Sequence, residues 1–423
     1  MKLLLLLAMV HSVAANESIK LDPTESISVK QLVLAVLQAN PRLEIAQASW
    51  QASVARIEQS AAFDDPQFQY SFAPFTINAS NSMGKPIDFG QRFQLSQKLP
   101  FPGKLQLRAK AAEYKAETRQ QNIATLQLLL TTSAKSLFAD WYFIHQSIAI
   151  NERKQSLLKQ VYSITKTRYG TGVAGKQDVL RAELELTLLK HQTIVLQRQR
   201  KTKLAQLNTL LNRAVDTALS IPQQLTEIKQ LPEFDQLKIK AMQSHPELMA
   251  IAADINEHET QSELAGLDYY PDLKLSAGYN SLWDNDDKRF NIAVGINIPL
   301  DQSKRRAAEQ EAKANSQQAH WRKIDLLAKI TEQLSIAYAH AEESLHVLQL
   351  YKQQLLPLAE VDLAAAKGDY QSGKGDFLTL LGSKKNLLQT QLQTEQALVN
   401  VHQRFAELEQ AVGSLEPLSI AGK

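Results

Sequence analysis

The chain has 423 residues, of which 47 are Lys or Arg and 44 are Asp or Glu, so the formal net charge is only +3. This balance excludes a compositional argument for nucleic acid as a partner. Cysteine is absent, which excludes disulfides and a lipid-modified amino-terminal cysteine, and there are only 15 glycines and 14 prolines. With Leu, Ala, Gln, Lys and Glu dominant, the composition predicts long helices or coiled coil.

The first residues predict export. Lys2 precedes an apolar run at 3–10, and small residues follow at 12–15. A charged start, a short apolar run and an Ala-x-Ala-like end are typical of a secretory signal peptide, which we place at residues 1–15. The run is far shorter than the ~20 residues that a spanning helix needs. We therefore expect the segment to be removed from an exported protein.

The rest of the sequence indicates two copies of one unit. Pro41 and Pro66 have the same spacing as Pro246 and Pro271, and each pair brackets a helical stretch followed by alternating residues. We assign residues 16–232 to the first repeat and 233–423 to the second. The first is predicted to hold a helix at about 30–63, a β-hairpin at 66–100, a long helix at 104–168 and a helix at 176–213. The second is predicted to hold a helix at about 234–267, a β-hairpin at 271–299, a long helix at 303–369 and a helix at 376–412.

The second long helix carries an apolar seam. Its apolar residues recur in alternating steps of three and four from Leu327 to Leu358, interrupted only by Ser344. This spacing is typical of a coiled coil, and an ordinary helical hairpin core explains it equally well. Pro357 lies inside the seam, where we expect it to kink the helix or loosen it locally.

The hairpins alternate apolar with polar or small residues. In the last strand, Phe290, Ile292, Val294 and Ile296 alternate in this way. The pattern fits a membrane β-barrel strand, although a soluble sheet packed on a core has the same alternation. Export and the great length of the neighbouring helices favour the membrane. Because backbone groups in lipid must all be paired, and the smallest bacterial barrels have about eight strands, four strands cannot close alone.

These elements predict a mainly α fold with a small β part. We expect long coiled-coil helices forming an α-barrel, and four β-strands per chain contributing to a trimeric, 12-stranded membrane β-barrel surrounded by outer-membrane lipid. The partner of the chain is therefore first of all itself, as a homotrimer.

The strand-to-helix junction has a distinctive motif. Leu99-Pro100-Phe101-Pro102-Gly103-Lys104 ends one strand, and Pro299 stands at the equivalent place in the second repeat, where Asp301 is placed to cap the next helix. With the duplicated units, the whole mature chain resembles the TolC-type outer-membrane efflux proteins. The motif with Pro100, Pro102 and Gly103 is similar to the junction of their heavy-metal (Czc/Cus-like) branch.

The resemblance implies a function. It implies a channel-tunnel component of a tripartite efflux system in the outer membrane, extending into the periplasm. Such a duct is a passive exit for solutes, heavy-metal cations among them, delivered by a periplasmic adaptor (membrane fusion) protein and an inner-membrane pump of the resistance-nodulation-division type. Two alternatives stay open: an outer-membrane exit duct for type I protein secretion, and a periplasmic coiled-coil adaptor. An adaptor places soluble β-domains around a single hairpin, whereas this chain repeats its helical hairpins.

Two turns resemble the Tyr-x-x-Gly periplasmic tips of the family. The resemblance implies that they contact the adaptor and form the closing aperture, through Arg168, Tyr169, Gly172, Lys176, Asp178, Asp369, Tyr370, Gly373, Lys374 and Asp376. Many members have an aspartate where Gly382 stands here, so we expect Asp369 and Asp376 to supply any acidic ring. Their predicted partners are Arg168, Lys176 and Lys374. Simple tight turns explain the glycines and tyrosines equally well.

Catalytic patterns are lacking in the sequence. The nine histidines are scattered, and His340 and His346 do not have the spacing of a helical zinc site. No glycine-rich phosphate loop follows a strand. The acidic pairs, such as Glu183 and Glu185, are predicted to be solvated helix faces. We therefore expect no cofactor, no metal site and no enzymatic activity.

Overall fold

The computed structural model describes residues 25–73, 90–173, 175–281, 289–372 and 374–415. The predicted signal peptide lies outside these ranges. In chain order the elements are α1 (Val29–Ala39), α2 (Pro41–Ala61), β1 (Gln67–Ala73), β2 (Gly90–Leu99), α3 (Lys104–Gly170), α4 (Lys176–Leu210), α5 (Phe234–Ser244), α6 (Pro246–Leu267), β3 (Leu273–Asn280), β4 (Phe290–Ile296), α7 (Gln302–Leu350), a π-helical turn (Tyr351–Leu355), α8 (Leu356–Gln371) and α9 (Phe377–Val412).

The chain divides into two units that interleave along the sequence. The second unit is formed by Ile45–Ile123 and Pro246–Leu327, and the first by the remaining segments. Each unit therefore contains segments from both predicted repeats. Within the described ranges, no helix carries a stretch long and apolar enough to cross a membrane.

Prolines break both of the shorter predicted helices. Asn40 is extended (φ −77°, ψ 118°) between α1 and α2, and His245 is extended (φ −65°, ψ 123°) between α5 and α6. A residue before proline is disfavoured in the helical region because the proline ring clashes with its backbone. The expectation of one continuous helix over about 30–63, and of another over about 234–267, is therefore wrong. Each stretch is two helices.

The long helix before the second tip has a local irregularity at the expected place. Residues Tyr351–Leu355 are π-helical and end two residues before Pro357. Proline lacks an N–H and clashes with the carbonyl four residues earlier, so a wider turn accommodates it. The predicted loosening of the helix at Pro357 is confirmed.

The π-helical turn also ends the apolar seam. Ile330, Leu334 and Leu348 are buried, whereas Leu358 is 64% exposed, and Ala359 takes the buried position on α8. An extra residue in a helix rotates all later residues by about 100° around the axis. The seam prediction is confirmed from Ile330 to Leu348 and is wrong beyond the π-helical turn. On α9, apolar residues at similar spacing are buried: Leu387, Leu398, Val401, Phe405, Leu408 and Val412.

The four strands form one antiparallel sheet in the order β1-β2-β3-β4, inside the second unit. The register aligns Tyr70 with Phe93, and Leu275 with Val294. The apolar face, defined by this register, is well exposed, with Phe290 at 76% and therefore not packed on a core. The register also places the polar Gln91 and Gln97 on this face. Its apolar residues are Phe68, Tyr70, Phe72, Phe93, Leu95, Leu99, Leu273, Leu275, Ala277, Tyr279, Phe290, Ile292, Val294 and Ile296.

The opposite surface of the sheet is the polar face. By the same register it consists of Gln67, Gln69, Ser71, Arg92, Gln94, Ser96, Lys98, Lys274, Ser276, Gly278, Asn280, Asn291, Ala293 and Gly295. The predicted alternation is confirmed in the described strands, while Phe89, which belongs to the hairpin predicted at 66–100, lies outside the described residues. An exposed apolar face opposite a polar face is what a strand needs between lipid and water.

Candidate functional site

The first tip is a helical hairpin turn between α3 and α4. The N–H of Gly172 donates to the carbonyl of Tyr169 at 3.0 Å, and that of Val173 donates to the carbonyl of Arg168 at 2.8 Å. Gly172 has φ 74°, the left-handed conformation that this pair of bonds requires at the end of a helix. The glycine at this position is therefore accounted for by the Schellman motif that ends α3.

The aspartates that follow each tip cap helices. The N–H of Gly175 donates to Oδ2 of Asp178 at 3.2 Å, at the start of α4. The N–H of Thr379 donates to Oδ1 of Asp376 at 2.6 Å, at the start of α9. Hydrogen bonds from the Thr379 backbone and hydroxyl, with a smaller contribution from the charge of Arg168, hold the pKa of Asp376 below its ordinary value. Both carboxylates stabilise the positive end of a helix.

The second tip folds back tightly on α8. The N–H groups of Lys374 and Gly375 both donate to the carbonyl of Asp369, each at 2.9 Å. A side chain at Gly375 would meet Cβ of Asp369 at 3.0 Å. The carboxylate of Asp369 has no hydrogen-bond or ion-pair partner among the described residues, so it is the available acid of this tip. Gly373 lies outside the described residues.

Aromatic and aliphatic side chains pack behind the tips. The rings of Tyr370 and Phe377 are 5.8 Å apart at 58°, whereas Tyr169 is half exposed. Phe377 and Leu381 of α9 pack on a buried cluster from α3 and α4, formed by Leu158, Val161 and Ala182. A cavity of about 330 Å³ adjoins this cluster. The three helices therefore meet near the tips.

An ion pair that the sequence did not predict joins two of these helices. Nζ of Lys385 lies 2.7 Å from Oε2 of Glu185, so Glu185, which stays partly exposed as predicted, also forms an ion pair. Nζ of Lys154 donates to Gln389 at 2.7 Å, and burial together with the charge of Lys385 lowers the pKa of Lys154. Glu185 and Lys385 carry opposite charges and lie at nearly the same distance along their helices, in the third turn of α4 and of α9. This symmetry was the available signal for the pair.

The junction between β2 and α3 is held by a buried ion-pair network. Nζ of Lys104 lies 3.0 Å from Asp272 and 3.1 Å from Asp268, and the N–H of Phe101 donates to Asp272 at 2.9 Å. The Lys104 side chain is only 5% exposed. Burial by itself would raise the pKa of Asp272. The hydrogen bonds from Phe101 and Lys104, together with the positive charges of Lys104 and Lys98, outweigh burial, so the pKa of Asp272 is lowered.

The predicted junction residues lie between the strands and the long helices of both repeats. Pro102 and Gly103 form the turn before α3, and Gly103 has φ 94°. After Pro299, Oδ1 of Asp301 accepts from the N–H groups of Ser303 at 3.1 Å and Lys304 at 3.0 Å. The prediction that Asp301 caps the next helix is confirmed. Pro100 directly follows the last residue of β2.

Known proteins share this sequence pattern. The family described as "Outer membrane efflux protein" matches residues 32–213 and 239–414, most of the chain. The "Toxin and drug export protein A" of Aggregatibacter actinomycetemcomitans is 20% identical over 198 residues, and the match spans 45% of this chain and 43% of that relative. The chain therefore covers less than half of that relative's length.

Solved structures show the same fold. VceC from Vibrio cholerae, titled an outer membrane protein, has a TM-score of 0.75 and 18% identity over 91% of this chain and 96% of its own. CusC, whose title names transmembrane channel formation, has a TM-score of 0.76 and 16% identity over 94% of this chain and 96% of its own. CusC bears the name of the Cus-like branch but is about as similar to this chain as VceC is, so the heavy-metal branch stays a prediction.

Proposed function

This chain belongs to the outer membrane efflux protein family, and we propose that three copies assemble into an outer-membrane channel-tunnel that extends into the periplasm. The family membership also agrees with the conclusion that the chain is not an enzyme. The observation that carries the proposal is the sheet. Its apolar face is exposed, and neither the outer edge of β1 nor that of β4 pairs with another strand in the described part of the chain.

Lipid makes these edges costly for a single copy. Each unpaired backbone N–H or C=O costs several kcal/mol in a bilayer core, so β1 of one copy is expected to pair with β4 of the next. Two copies supply eight strands, and the interior of an eight-stranded barrel is filled by side chains. Three copies supply 12 strands and leave a water-filled lumen inside the polar faces. A duct therefore requires at least three copies.

The chain is proposed to be a passive exit for solutes, with energy supplied elsewhere. We assign the tip residues, from Arg168 to Asp178 and from Asp369 to Asp376, to the periplasmic aperture and to contact with a periplasmic adaptor. The proposed pump is an inner-membrane protein, of the resistance-nodulation-division type by resemblance to the family. The exposed Tyr169, Val173 and Tyr370 offer apolar contact area to such a partner.

The mass of the protein extracted in mild detergent tests whether three copies assemble. We expect the protein in the outer-membrane fraction, and light scattering of the extracted protein should give three times the mass of the mature chain. A monomer, or a species released into solution by osmotic shock, contradicts the proposal and favours the periplasmic adaptor alternative.

Protein secretion is the second candidate, because one relative is named for the export of both toxin and drug. Deletion of the gene separates the two roles. We expect the deletion strain to become sensitive to small toxic solutes while its secreted proteins stay unchanged. Loss of a secreted protein from the medium, without such sensitivity, favours the secretion duct.

A further inference from the structure

The charges on the polar face of the sheet have one sign. Arg92, Lys98 and Lys274 lie on it, and each is exposed in the chain. The other residues of the polar face are neutral, so the described strands place no carboxylate on this surface. We infer that this surface makes the barrel lumen attract anions, so that the duct favours anionic solutes over free metal cations. This inference rests on the proposed channel.

Two of the cations are opposed in the ladder. Lys98 and Lys274 are direct cross-strand partners of β2 and β3. Like charges directly opposite each other destabilise a sheet, so the apposition of these two lysines does not itself stabilise the fold. Lys98 has a partner at the end of the strand, since its Nζ lies 3.5 Å from Oδ2 of Asp272. Lys274 has no ion pair among the described residues, and Arg92 bonds only the neutral Gln94 at 3.2 Å.

The size of the proposed barrel brings these charges close to the solutes. Twelve strands about 4.8 Å apart and tilted by about 40° enclose a ring roughly 24 Å across. Because the long side chains point inward, the distance from their charges to the barrel axis is about one Debye length, which is about 8 Å at physiological salt. Arg92 and Lys274, the two cations of this face without an ion pair, repeat in each copy around a low-dielectric wall, where they concentrate anions and repel cations. Substitutions on the lumen side are known to tune the selectivity of such barrels.

This inference runs against metal cations as the exported solute. The resemblance at Pro100–Gly103 implies the heavy-metal branch, whereas the polar face carries the charge that free divalent cations avoid. Measuring whether the open channel conducts anions or cations better distinguishes these two expectations.

Reversal potentials in planar bilayers under a KCl gradient test the inference. The wild-type channel should prefer chloride over potassium. The Arg92→Glu/Lys274→Glu variant should move the chloride-to-potassium permeability ratio about tenfold toward potassium, the scale of field focusing in a charged cleft. Glu at 274 would face Lys98, an attractive pair, so the sheet should still form. Lys30→Glu, a charge reversal at an exposed position on α1, should leave the ratio unchanged.

Each outcome is decisive. A wild-type channel that prefers potassium, or a double variant with the wild-type ratio, overturns the inference and leaves the proposed channel intact. Absence of any conductance from a purified wild-type trimer is different, because it contradicts the proposed function itself and removes the lumen on which the inference rests.

Discussion

The ammonium nitrogen of Lys104 lies 3.0 Å from Oδ1 of Asp272, although 168 residues separate the two in the chain. Only 5% of the Lys104 side chain and 11% of the Asp272 side chain are exposed. The same carboxylate accepts from the N–H of Phe101, whose ring stacks on Tyr270 at 4.6 Å. The pair therefore fastens the end of one hairpin to the start of the other, at the junction between strands and helices.

We expect Lys104→Met to destabilise the protein strongly. Removing one partner of a buried ion pair leaves the other charge uncompensated, which costs about 3–5 kcal/mol. The measurement is the thermal dissociation and unfolding of the purified assembly. Lys304→Met is the matched control, since Lys304 is exposed in the first turn of α7, and it should change stability little. Equal stability of the two variants contradicts a structural role for the pair.

Acid should release the same contact. Because the folded-state pKa of Asp272 is lowered, its contribution to stability is present above its unfolded pKa of about 3.9 and is lost as pH falls through the folded value. We expect Asp272→Asn to be less stable than the wild type at pH 7 and the difference to shrink below pH ~4. Thermal unfolding from pH 7 to pH 2.5 checks this. A difference that is constant with pH would show that the carboxylate charge is irrelevant.

Charge on the two faces of the sheet should have opposite consequences. Val294 is exposed on the apolar face, and Asn291 lies on the polar face. Val294→Arg should cost about 2–4 kcal/mol at mid-membrane depth, because the guanidinium enters lipid, whereas Asn291→Arg should be tolerated. Trimer yield from outer membranes compares the two variants. Equal assembly means that the assignment of the faces to lipid and water is wrong.

Two strand glycines should differ in their tolerance of a methyl group. A Cβ at Gly278 would lie 3.0 Å from the carbonyl oxygen of Phe93 and 2.9 Å from Oδ1 of Asn291, whereas at Gly295 the nearest atom is 3.7 Å away. Crowding of this kind typically costs about 1–3 kcal/mol. We expect Gly278→Ala to lower the unfolding temperature and Gly295→Ala to leave it nearly unchanged. The opposite order contradicts the register of β2, β3 and β4.

The tip aspartates should act in two separable ways. Asp376→Ala removes the cap of α9, which costs about 1 kcal/mol, whereas Asp376→Asn keeps a capping oxygen and removes only the charge. If the aperture depends on order in the first turn of α9, Asp376→Ala raises single-channel conductance and Asp376→Asn does not. Asp369→Ala/Asp376→Ala should raise conductance further and move the chloride-to-potassium permeability ratio further toward chloride, because the free carboxylate of Asp369 is also lost. Unchanged conductance in this double variant places the constriction elsewhere.

The sequence alone determined what local periodicity encodes. Alternation every second residue identified the strands and their two faces, and steps of three and four identified the seam around Ile330 and Leu334. Prolines and glycines marked the turns, because their backbone limits act on adjacent residues. Asp301 could be recognised as a cap for the same reason, since a cap bonds to residues two or three positions away.

The tertiary structure decided which distant residues meet. Nothing within a few positions of Asp272 indicates Lys104, and the polar partners Glu185 and Lys385 lie on helices that are also far apart in sequence. It also decided where the seam ends, because one π-helical turn rotates α8 and exposes Leu358. Only the register of β2 and β3 showed that Lys98 lies directly opposite Lys274. Local patterns decide the direction of each side chain relative to its own strand or helix, and only the packed chain decides what faces it.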